Sequence, residues 1–267
     1  MGEYPSLVAT DLDGTIIRGD GTISARTVAA FTRVETAGAR FVLVTGRPPR
    51  WMAGIAATFG HRGTAICANG ALAYDMHNGA IEARHLIEPP ALAAAAAALR
   101  SAVPGIGIAV EYRDGHAADP VYQALNAEVN LSMPRLDDAA LFTRPGAKLL
   151  GRHFGYSCDD LLDLVLPVLD GLVSVTHSNS KGLIEASAVG VSKASVVAEI
   201  AALHGIGPQS VVAFGDMPND LPMLAWAGRA VAVANAHPDV RAAAHEVTAS
   251  NDESGVALVL ERVFGLS

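Results

Sequence analysis

A short apolar run near the N-terminus ends abruptly in two aspartates, and this feature constrains the fold more than any other. The run spans residues 6–10 and is followed by Asp11, Leu12 and Asp13, and then by Gly14-Thr15. An apolar run of this length, bounded by a turn signal, predicts a buried strand of a parallel sheet. In open α/β sheets, ligands bind just outside the carboxyl ends of the strands. The two aspartates are therefore predicted to lie at a binding edge.

The alternation of side chains along a strand places Asp11 and Asp13 on one face and Leu12 on the other. Two adjacent carboxylates repel each other unless a cation or a shared proton relieves the repulsion. Mg²⁺ with oxygen ligands would do so. The alternative is a plain acidic turn in which Gly14 supplies the turn conformation. This stretch alone leaves both interpretations open.

Composition limits the class of protein. At 267 residues the chain exceeds the usual size of a single domain, so one large or two smaller domains are expected. Hydrophobic residues make up 51% and charged residues 17%, which supports a substantial core rather than disorder. The net charge of -8, with no basic cluster, argues against a nucleic-acid partner. Two cysteines, Cys67 and Cys158, do not make a disulfide framework.

The N-terminus shows no basic region followed by an apolar leader. The one membrane-like run, Ala91–Val110, is interrupted by Arg100 and Pro104, so a helix followed by a strand is the better interpretation. We therefore expect a cytoplasmic protein with no membrane partner.

The chain continues as alternating helix-like and strand-like segments. Ser24 is a suitable N-cap for a helix that reaches about Ala37. A second strand is predicted over Arg40–Thr45 and a third from residue 64, with a turn at Asn69-Gly70. This βαβαβ pattern predicts an α/β fold with a doubly wound parallel sheet.

The pattern changes between about residues 81 and 180, where no strand-like run ends in an Asp-rich turn. We predict an inserted α+β domain with its own sheet. Its predicted strands and helices are Ile106–Tyr112, Lys148–Phe154 and Leu172–His177, and Ala91–Arg100 and Asp159–Leu169. The βα pattern resumes with a helix over Ser192–His204 and strands over Val211–Asp216 and Arg229–Ala234. The predicted core thus comprises residues 1–82 and 182–267, and the inserted domain residues 83–181.

Two further stretches suit the binding of phosphate. The Thr45 hydroxyl and the Gly46 N–H follow a strand and precede a helix, although Thr-Gly turns are common in any role. Lys193 stands in the first turn of a predicted helix, where a cation is unfavourable with the helix dipole. Solvation would tolerate that penalty, whereas a bound phosphate would turn it into an attraction.

A last stretch places Asp216 directly after a buried strand, with Asn219 and Asp220 close behind. Either of the later two could simply cap the helix that follows. The carboxyl ends of these parallel strands would converge on one edge of the sheet. Carboxylates, a hydroxyl and an amine at such an edge suit phosphate and Mg²⁺ chemistry.

In order along the chain, Asp-x-Asp-Gly-Thr, a strand-terminal Thr-Gly, a lysine and Gly-Asp-x-x-Asn-Asp resemble the motifs of the haloacid dehalogenase (HAD) superfamily of aspartate-nucleophile phosphatases. The large insertion and the Ala68-Asn69-Gly70-Ala71 turn resemble its Cof-type subfamily, class IIB. Ala194 departs from this pattern, since glycine often follows the lysine there. The resemblance implies a Rossmann-like core with an inserted α+β cap domain that sets substrate specificity.

The resemblance also implies roles for individual residues. Asp11 would attack phosphorus to form an aspartyl-phosphate, and Asp13 would act as general acid and then as general base. Mg²⁺ would be held by Asp11, by the backbone carbonyl of Asp13 and by Asp216, while Asp220 would orient this shell or bind through water. The phosphoryl group would contact Leu12 through its amide, Thr45, Gly46, Lys193 and Asn219.

Two features stay open. Arg47 either contacts the phosphoryl group or braces its own loop. In the cap, the polar run His177, Ser178, Asn179 and Lys181 could select the substrate, or it could be the solvated end of a hairpin.

The predicted function is a Mg²⁺-dependent phosphatase acting on a small-molecule phosphate ester, with sugar phosphates as the leading class. A sugar phosphomutase is one alternative, and it would retain the phosphoryl group and need a bisphosphate activator. A receiver-like phospho-acceptor is another, but the chain is too long for a lone receiver, and Asp13-Gly14-Thr15 would have no role in one. The sequence predicts no particular oligomeric state.

Overall fold

The apolar run that precedes Asp11 forms the first strand of an extended sheet. The computed structural model describes residues 4–125, 133–178 and 182–265. The N-terminal part of the chain forms the elements β1 (Leu7–Thr10), α1 (Ala25–Thr36), β2 (Arg40–Val44), α2 (Ala53–Thr58), β3 (Thr64–Cys67), β4 (Leu72–Asp75) and β5 (Ile81–Ala83). As predicted, Ser24 caps α1, and its hydroxyl accepts a hydrogen bond from the Thr27 N–H.

The middle of the chain forms α3 (Pro89–Ala102), β6 (Gly107–Glu111), β7 (His116–Ala118), α4 (Pro120–Leu125), α5 (Asp138–Leu141), β8 (Lys148–Arg152), α6 (Cys158–Leu169), β9 (Ser174–Thr176) and β10 (Leu183–Ser187). The C-terminal part forms α7 (Lys193–Leu203), β11 (Val211–Gly215), α8 (Leu221–Trp226), β12 (Arg229–Ala232), α9 (Pro238–Ala243), β13 (Glu246–Val247) and α10 (Gly255–Val263).

The first sheet has the strand order β13-β12-β11-β1-β2-β3-β4-β5. Its strands are parallel from β13 to β3, while β4 runs antiparallel to β3. The chain builds outward from β1 through β2 and β3, and later outward on the other side through β11, β12 and β13. The order therefore reverses beside β1, and such a switch point is where doubly wound sheets bind ligands. The antiparallel pairing of β4 with β3 was not predicted.

The second sheet has the order β7-β6-β8-β10-β9, and all its pairs are antiparallel. Helices α3 and α6 cover one face, where Leu92 and Leu161 pack with Ile108 and Val110 of β6. Ile108 and Val110 thus face these helices, while the intervening Ala109 belongs to a second, smaller buried cluster with Tyr122 of α4. The prediction of an α+β insertion with its own sheet is confirmed.

The chain divides into two compact units, one formed by residues 1–81 and 192–267, and the other by residues 82–191. The entry into the second unit agrees with the predicted boundary to within one residue. The predicted return at residue 182 is ten residues too early, because β10 is hydrogen-bonded to β8 and β9 and so belongs to the second sheet. Among the described residues, none of the helices has both the length and the apolar character needed to cross a bilayer.

Candidate active site

Asp11 follows β1 directly, and its side chain is buried. Its Oδ1 accepts a hydrogen bond of 2.5 Å from the ammonium group of Lys193. The same ammonium donates to Asp220 Oδ1 at 2.6 Å. A lysine that is only 1% exposed thus bridges two buried carboxylates. The three groups, which lie far apart in the sequence, meet as predicted.

Lys193 owes its position to the start of α7. The Ser192 hydroxyl accepts from the Ser195 N–H, and the Ser195 hydroxyl accepts from the Ser192 N–H, which together form a capping box. Lys193 is therefore the first residue of the helix, where the dipole disfavours a cation. The two carboxylates that it contacts offset this penalty.

The loop after β11 carries Asp220 and brings one further carboxylate, Asp216, to the site. Asp220 Oδ2 accepts from the backbone N–H groups of Asp216 and Met217, each at 3.0 Å. Asp216 Oδ1 accepts from the Thr15 hydroxyl at 2.8 Å. Both Asp220 oxygens are engaged by protein donors, which favours an orienting role for this residue over direct metal binding.

The backbone of Gly14 approaches Asp216 closely. A Cβ atom at this position would lie 2.2 Å from Asp216 Oδ2, and the φ of +79° also favours glycine. There is therefore no room for a side chain at Gly14. The loop after β1 can for this reason pack directly against the loop after β11, which carries Asp216.

The acidic groups fit a divalent cation. Asp11, Asp216 and Asp220 each offer a carboxylate oxygen, and these oxygens all lie within 4.8 Å of one another. Three carboxylates and one ammonium leave two negative charges in excess in a buried place. Oxygen ligands and excess negative charge are what Mg²⁺ prefers.

Burial and mutual repulsion shift the acidity of these groups. Burial raises the pKa of Asp11 well above its usual range, and the charges of Asp220 and Asp216 act in the same direction against Lys193. Burial and the charge of Asp220 likewise raise the pKa of Asp216 to about 7. Burial alone would lower the pKa of Lys193, but its contacts with Asp11 and Asp220 outweigh this effect and raise it. Without a metal, the cluster therefore tends to hold a proton on one of its carboxyl groups near neutral pH.

The carboxylate of Asp13 is exposed and does not join the buried cluster. It accepts two hydrogen bonds from Arg47, one from Nε at 2.7 Å and one from Nη2 at 2.5 Å. This bidentate pair is a third role, beside the two left open for Arg47, and both of those stay predictions. Planar guanidinium and carboxylate groups pair in this way with high directionality.

Thr45, at the start of the predicted phosphate loop, is also buried. The Thr45 hydroxyl accepts from the Arg47 N–H at 3.0 Å, and Gly46 lies between them, half-buried. Leu12 is fully buried, and its carbonyl accepts from the N–H groups of residues 15–17. The Asn219 amide nitrogen donates to Asn69 Oδ1 at 3.3 Å. The phosphate contacts of these residues stay predictions.

Two contacts were not predicted from the sequence. One joins Thr15 to Asp216, and the other joins Asn69 to Asn219. In the sequence, Thr15 is recognisable only as the last residue of the Asp-x-Asp-Gly-Thr motif. No local signal identifies its partner, because Asp216 lies 201 positions away along the chain. The sequence predicts a turn at Asn69 but not its side-chain partner, because that partner lies 150 positions away along the chain.

In the second unit, two of the residues proposed to select the substrate have partners within that unit. Buried His177 is 2.8 Å from Asp159 through Nε2, and the Ser178 hydroxyl donates to Glu185 at 3.1 Å. Asn179 and Lys181 lie outside the described residues. The selecting role of this run stays a prediction.

Residues 8–260 match the model of a protein family described as haloacid dehalogenase-like hydrolase. Because this match spans most of the chain, the protein belongs to the haloacid dehalogenase-like hydrolase family. The predicted family is confirmed, and with it the prediction of a hydrolase of the phosphatase type.

Two relatives are similar over nearly their full length. The 5-amino-6-(5-phospho-D-ribitylamino)uracil phosphatase YitU of Bacillus subtilis is 25% identical over 275 residues, which cover 100% of both chains. A phosphatase of the same activity, YbjI of Escherichia coli, is 27% identical over 96% of this chain and 95% of its own.

Solved structures confirm the fold. BT1666 from Bacteroides thetaiotaomicron, one of the phosphatases of the HAD superfamily, superposes with a TM-score of 0.83 at 24% identity, over 99% of this chain and 96% of its own. The sugar phosphatase BT4131, of HAD subclass IIB, superposes with a TM-score of 0.83 at 21% identity, over 98% and 100%. The predicted α/β core with an inserted domain is therefore shown.

Proposed function

We propose that the protein is a Mg²⁺-dependent phosphatase that hydrolyses a small phosphate ester through an aspartyl-phosphate on Asp11. One observation carries the proposal. A buried carboxylate at the end of a central parallel strand is paired with Lys193 and lies within 4.8 Å of two further carboxylates. Such a cluster is costly to bury unless it binds a cation or reacts.

In the first proposed step, an Asp11 oxygen attacks phosphorus, the bond from phosphorus to the ester oxygen breaks, and Asp13 gives a proton to the leaving alkoxide. In the second, Asp13 takes a proton from water as that water attacks phosphorus. The bond between phosphorus and Asp11 then breaks and inorganic phosphate leaves. Both Asp13 oxygens accept from Arg47 in this structure, so proton transfer requires that at least one of these hydrogen bonds be exchanged for the substrate.

The other residues act on charge and position. Lys193, Thr45, the N–H groups of Leu12 and Gly46, and Asn219 would hold the transferring phosphoryl group and offset its charge. Asp11, the Asp13 carbonyl and Asp216 would hold Mg²⁺, with Asp220 orienting them through its hydrogen bonds to the loop. When bound, Mg²⁺ would neutralise negative charge on the phosphoryl oxygens and on the cluster.

The names of the relatives support a substrate class. Their names specify a sugar phosphatase and phosphatases of a 5-phospho-D-ribitylamino compound, and both kinds of substrate join a phosphate to a polyhydroxylated carbon chain. We propose a phosphate monoester of such a chain as the substrate, with sugar phosphates as the leading members. The second unit would act as a cap that selects among them.

The test is phosphate release from a panel of sugar phosphates, 5-amino-6-(5-phospho-D-ribitylamino)uracil and nucleotides, with Mg²⁺ or with EDTA. Asp11→Asn keeps the shape of the nucleophile but lacks its charge, and Asp75→Asn is the matched control at the end of β4, in the same unit. We expect Mg²⁺-dependent release that is lost in Asp11→Asn and retained in Asp75→Asn. Isomerisation of a sugar phosphate that depends on a bisphosphate, without release, would instead establish a mutase. Stable labelling by acetyl phosphate without turnover would establish a phospho-acceptor.

A further inference from the structure

The turn after β3 has an unusual backbone. Ala68 and Asn69 have φ values of +52° and +56°, although neither is glycine. Two consecutive left-handed residues with side chains cost conformational free energy, and such strain persists only where surrounding contacts enforce it. The turn is therefore held by its neighbours.

Those neighbours belong to the predicted phosphate loop. The Ala68 N–H donates to the Arg47 carbonyl, and the Asn69 N–H donates to the Thr45 carbonyl, both at 3.0 Å. The strained turn is thus bonded to the backbone on both sides of Gly46. This places the buried Asn69 side chain beside the loop that would hold the phosphoryl group.

The Asn69 side chain contacts the side-chain amide of Asn219, whose hydrogen-bonding groups are only partly satisfied. Asn219 is 5% exposed, and its Nδ2 donates one hydrogen bond, to Asn69 Oδ1. Its Oδ1 is buried and has no hydrogen-bond partner among the described residues. An amide can rotate by half a turn and exchange its oxygen and nitrogen, and its partners decide which orientation is stable. Here the partner atom on Asn69 is a carbonyl oxygen, which accepts and cannot donate.

We propose that Asn69 is a positioning residue that orients the Asn219 amide, so that an N–H of this amide rather than its carbonyl oxygen faces the phosphoryl group. In the opposite orientation the amide oxygen would face the anionic phosphoryl oxygens and repel them. The left-handed turn brings the side-chain oxygen of Asn69 within hydrogen-bond distance of the Asn219 amide. This inference rests on the proposed function, because it requires a phosphoryl group at the Thr45 loop.

The test uses Asn69→Gly, in which glycine adopts the left-handed backbone without strain and only the amide is lost. Ala68→Gly is the matched control, since it relieves the same strain and leaves both amides in place. Inhibition by orthovanadate and by inorganic phosphate reports binding at the phosphoryl position. We expect Asn69→Gly to raise both inhibition constants about tenfold, in keeping with one charge-assisted hydrogen bond, and Ala68→Gly to leave them unchanged.

A double-mutant cycle distinguishes positioning from a general structural role. If Asn69 acts through Asn219, then Asn69→Gly has no further effect on either inhibition constant in an Asn219→Ala background. Effects that multiply in the double variant, or unchanged constants in Asn69→Gly, would overturn the inference. If the wild-type protein hydrolyses esters and binds phosphate but Asn69→Gly matches it, this inference alone fails. If the wild type neither hydrolyses esters nor binds phosphate, the proposed function fails as well.

Discussion

Each of the two units buries a lysine against carboxylates, but the two clusters are built differently. In the first unit, Lys193 lies 2.5 Å from Asp11 and 2.6 Å from Asp220. In the second, Lys148 lies 3.1 Å from Glu185, which stands on the neighbouring strand of the antiparallel sheet. Both lysines are less than 5% exposed.

The difference lies in the backbone that presents the charges. Lys148 begins β8, beside Glu185 in the middle of β10 and directly opposite the buried Glu111 of β6, so these charges meet side by side within paired strands. The members of the first cluster come from the ends of parallel strands and from the start of a helix, and they include Asp216. Their negative charge exceeds their positive charge. Charged groups within a sheet satisfy one another across neighbouring strands, whereas acidic groups at the ends of parallel strands face an edge where a ligand can bind.

The largest difference between the two clusters is expected from Lys193→Met and its counterpart in the second unit. Phosphate release should fall by about 10²–10³-fold, because the phosphoryl group loses a cationic donor. At pH 7 without metal, the free energy of unfolding should fall by about 3–5 kcal/mol, since buried carboxylates lose their partner. This loss should shrink at pH 5, as the raised pKa values of Asp11 and Asp216 let them take up protons. Urea unfolding at the two pH values measures the change.

The control in the second unit is Lys148→Met. It should also destabilise the protein, because Glu185 stays buried without its lysine. It should nevertheless retain the rise in melting temperature that Mg²⁺ produces, since the acidic cluster is intact. Loss of that rise in Lys148→Met would erase the distinction between the two clusters.

Removing one buried carboxylate from each unit should change stability in opposite directions. The folded-state pKa of Asp216 is raised to about 7, so the folded protein binds more protons than the unfolded chain between pH 4 and 7. Stability from this group therefore falls as pH rises through that window. In EDTA at pH 8, Asp216→Asn should stabilise the protein by about 2–4 kcal/mol, and it should abolish the Mg²⁺ effect on melting.

The counterpart is Asp119→Asn. Asp119 accepts from Arg100 at 2.9 Å and from the Tyr122 N–H at 2.7 Å, so its charge is well compensated. Its replacement should destabilise the protein by about 1–3 kcal/mol. Urea unfolding of both variants at pH 5 and pH 8 provides the measurement, and equal signs would refute the contrast.

A smaller effect is expected at two glycines with similar left-handed backbones. Gly14 has a φ of +79° and Gly171 a φ of +73°. A Cβ at Gly171 meets nothing within 4 Å, so Gly171→Ala should cost only the backbone strain, about 1 kcal/mol. Gly14→Ala should cost about 2–3 kcal/mol, because its Cβ would also collide with Asp216. Gly14→Ala should also weaken the Mg²⁺ effect on melting, as thermal unfolding with and without the ion would show.

The sequence predicted those parts of the site that depend on local signals. Asp11 and Asp216 each end an apolar run, and the topology of parallel sheets brings such ends together. The pairing of Arg47 with Asp13 was not predicted, since it depends on side-chain geometry between two loops. The left-handed turn at Asn69 was visible only as an Asn-Gly signal, which does not reveal its partners. The boundary after β10 was missed because no composition change marks it, and only strand pairing defines it.

β1 has neighbours in the sheet from distant parts of the chain, so the order of synthesis affects how the sheet assembles. Leu7 is in register with Arg40 on one side and with Val211 on the other. At translation rates of about 5–20 residues per second, the second neighbour of β1 leaves the ribosome on the order of 10–30 s after the first. Residues 82–191 are contiguous and can fold during that delay. The sheet of the first unit, in contrast, stays incomplete until β11 has been synthesised. The acidic cluster is therefore among the last parts of the nascent protein to assemble, and until then β1 has one unpaired edge of the kind that promotes aggregation.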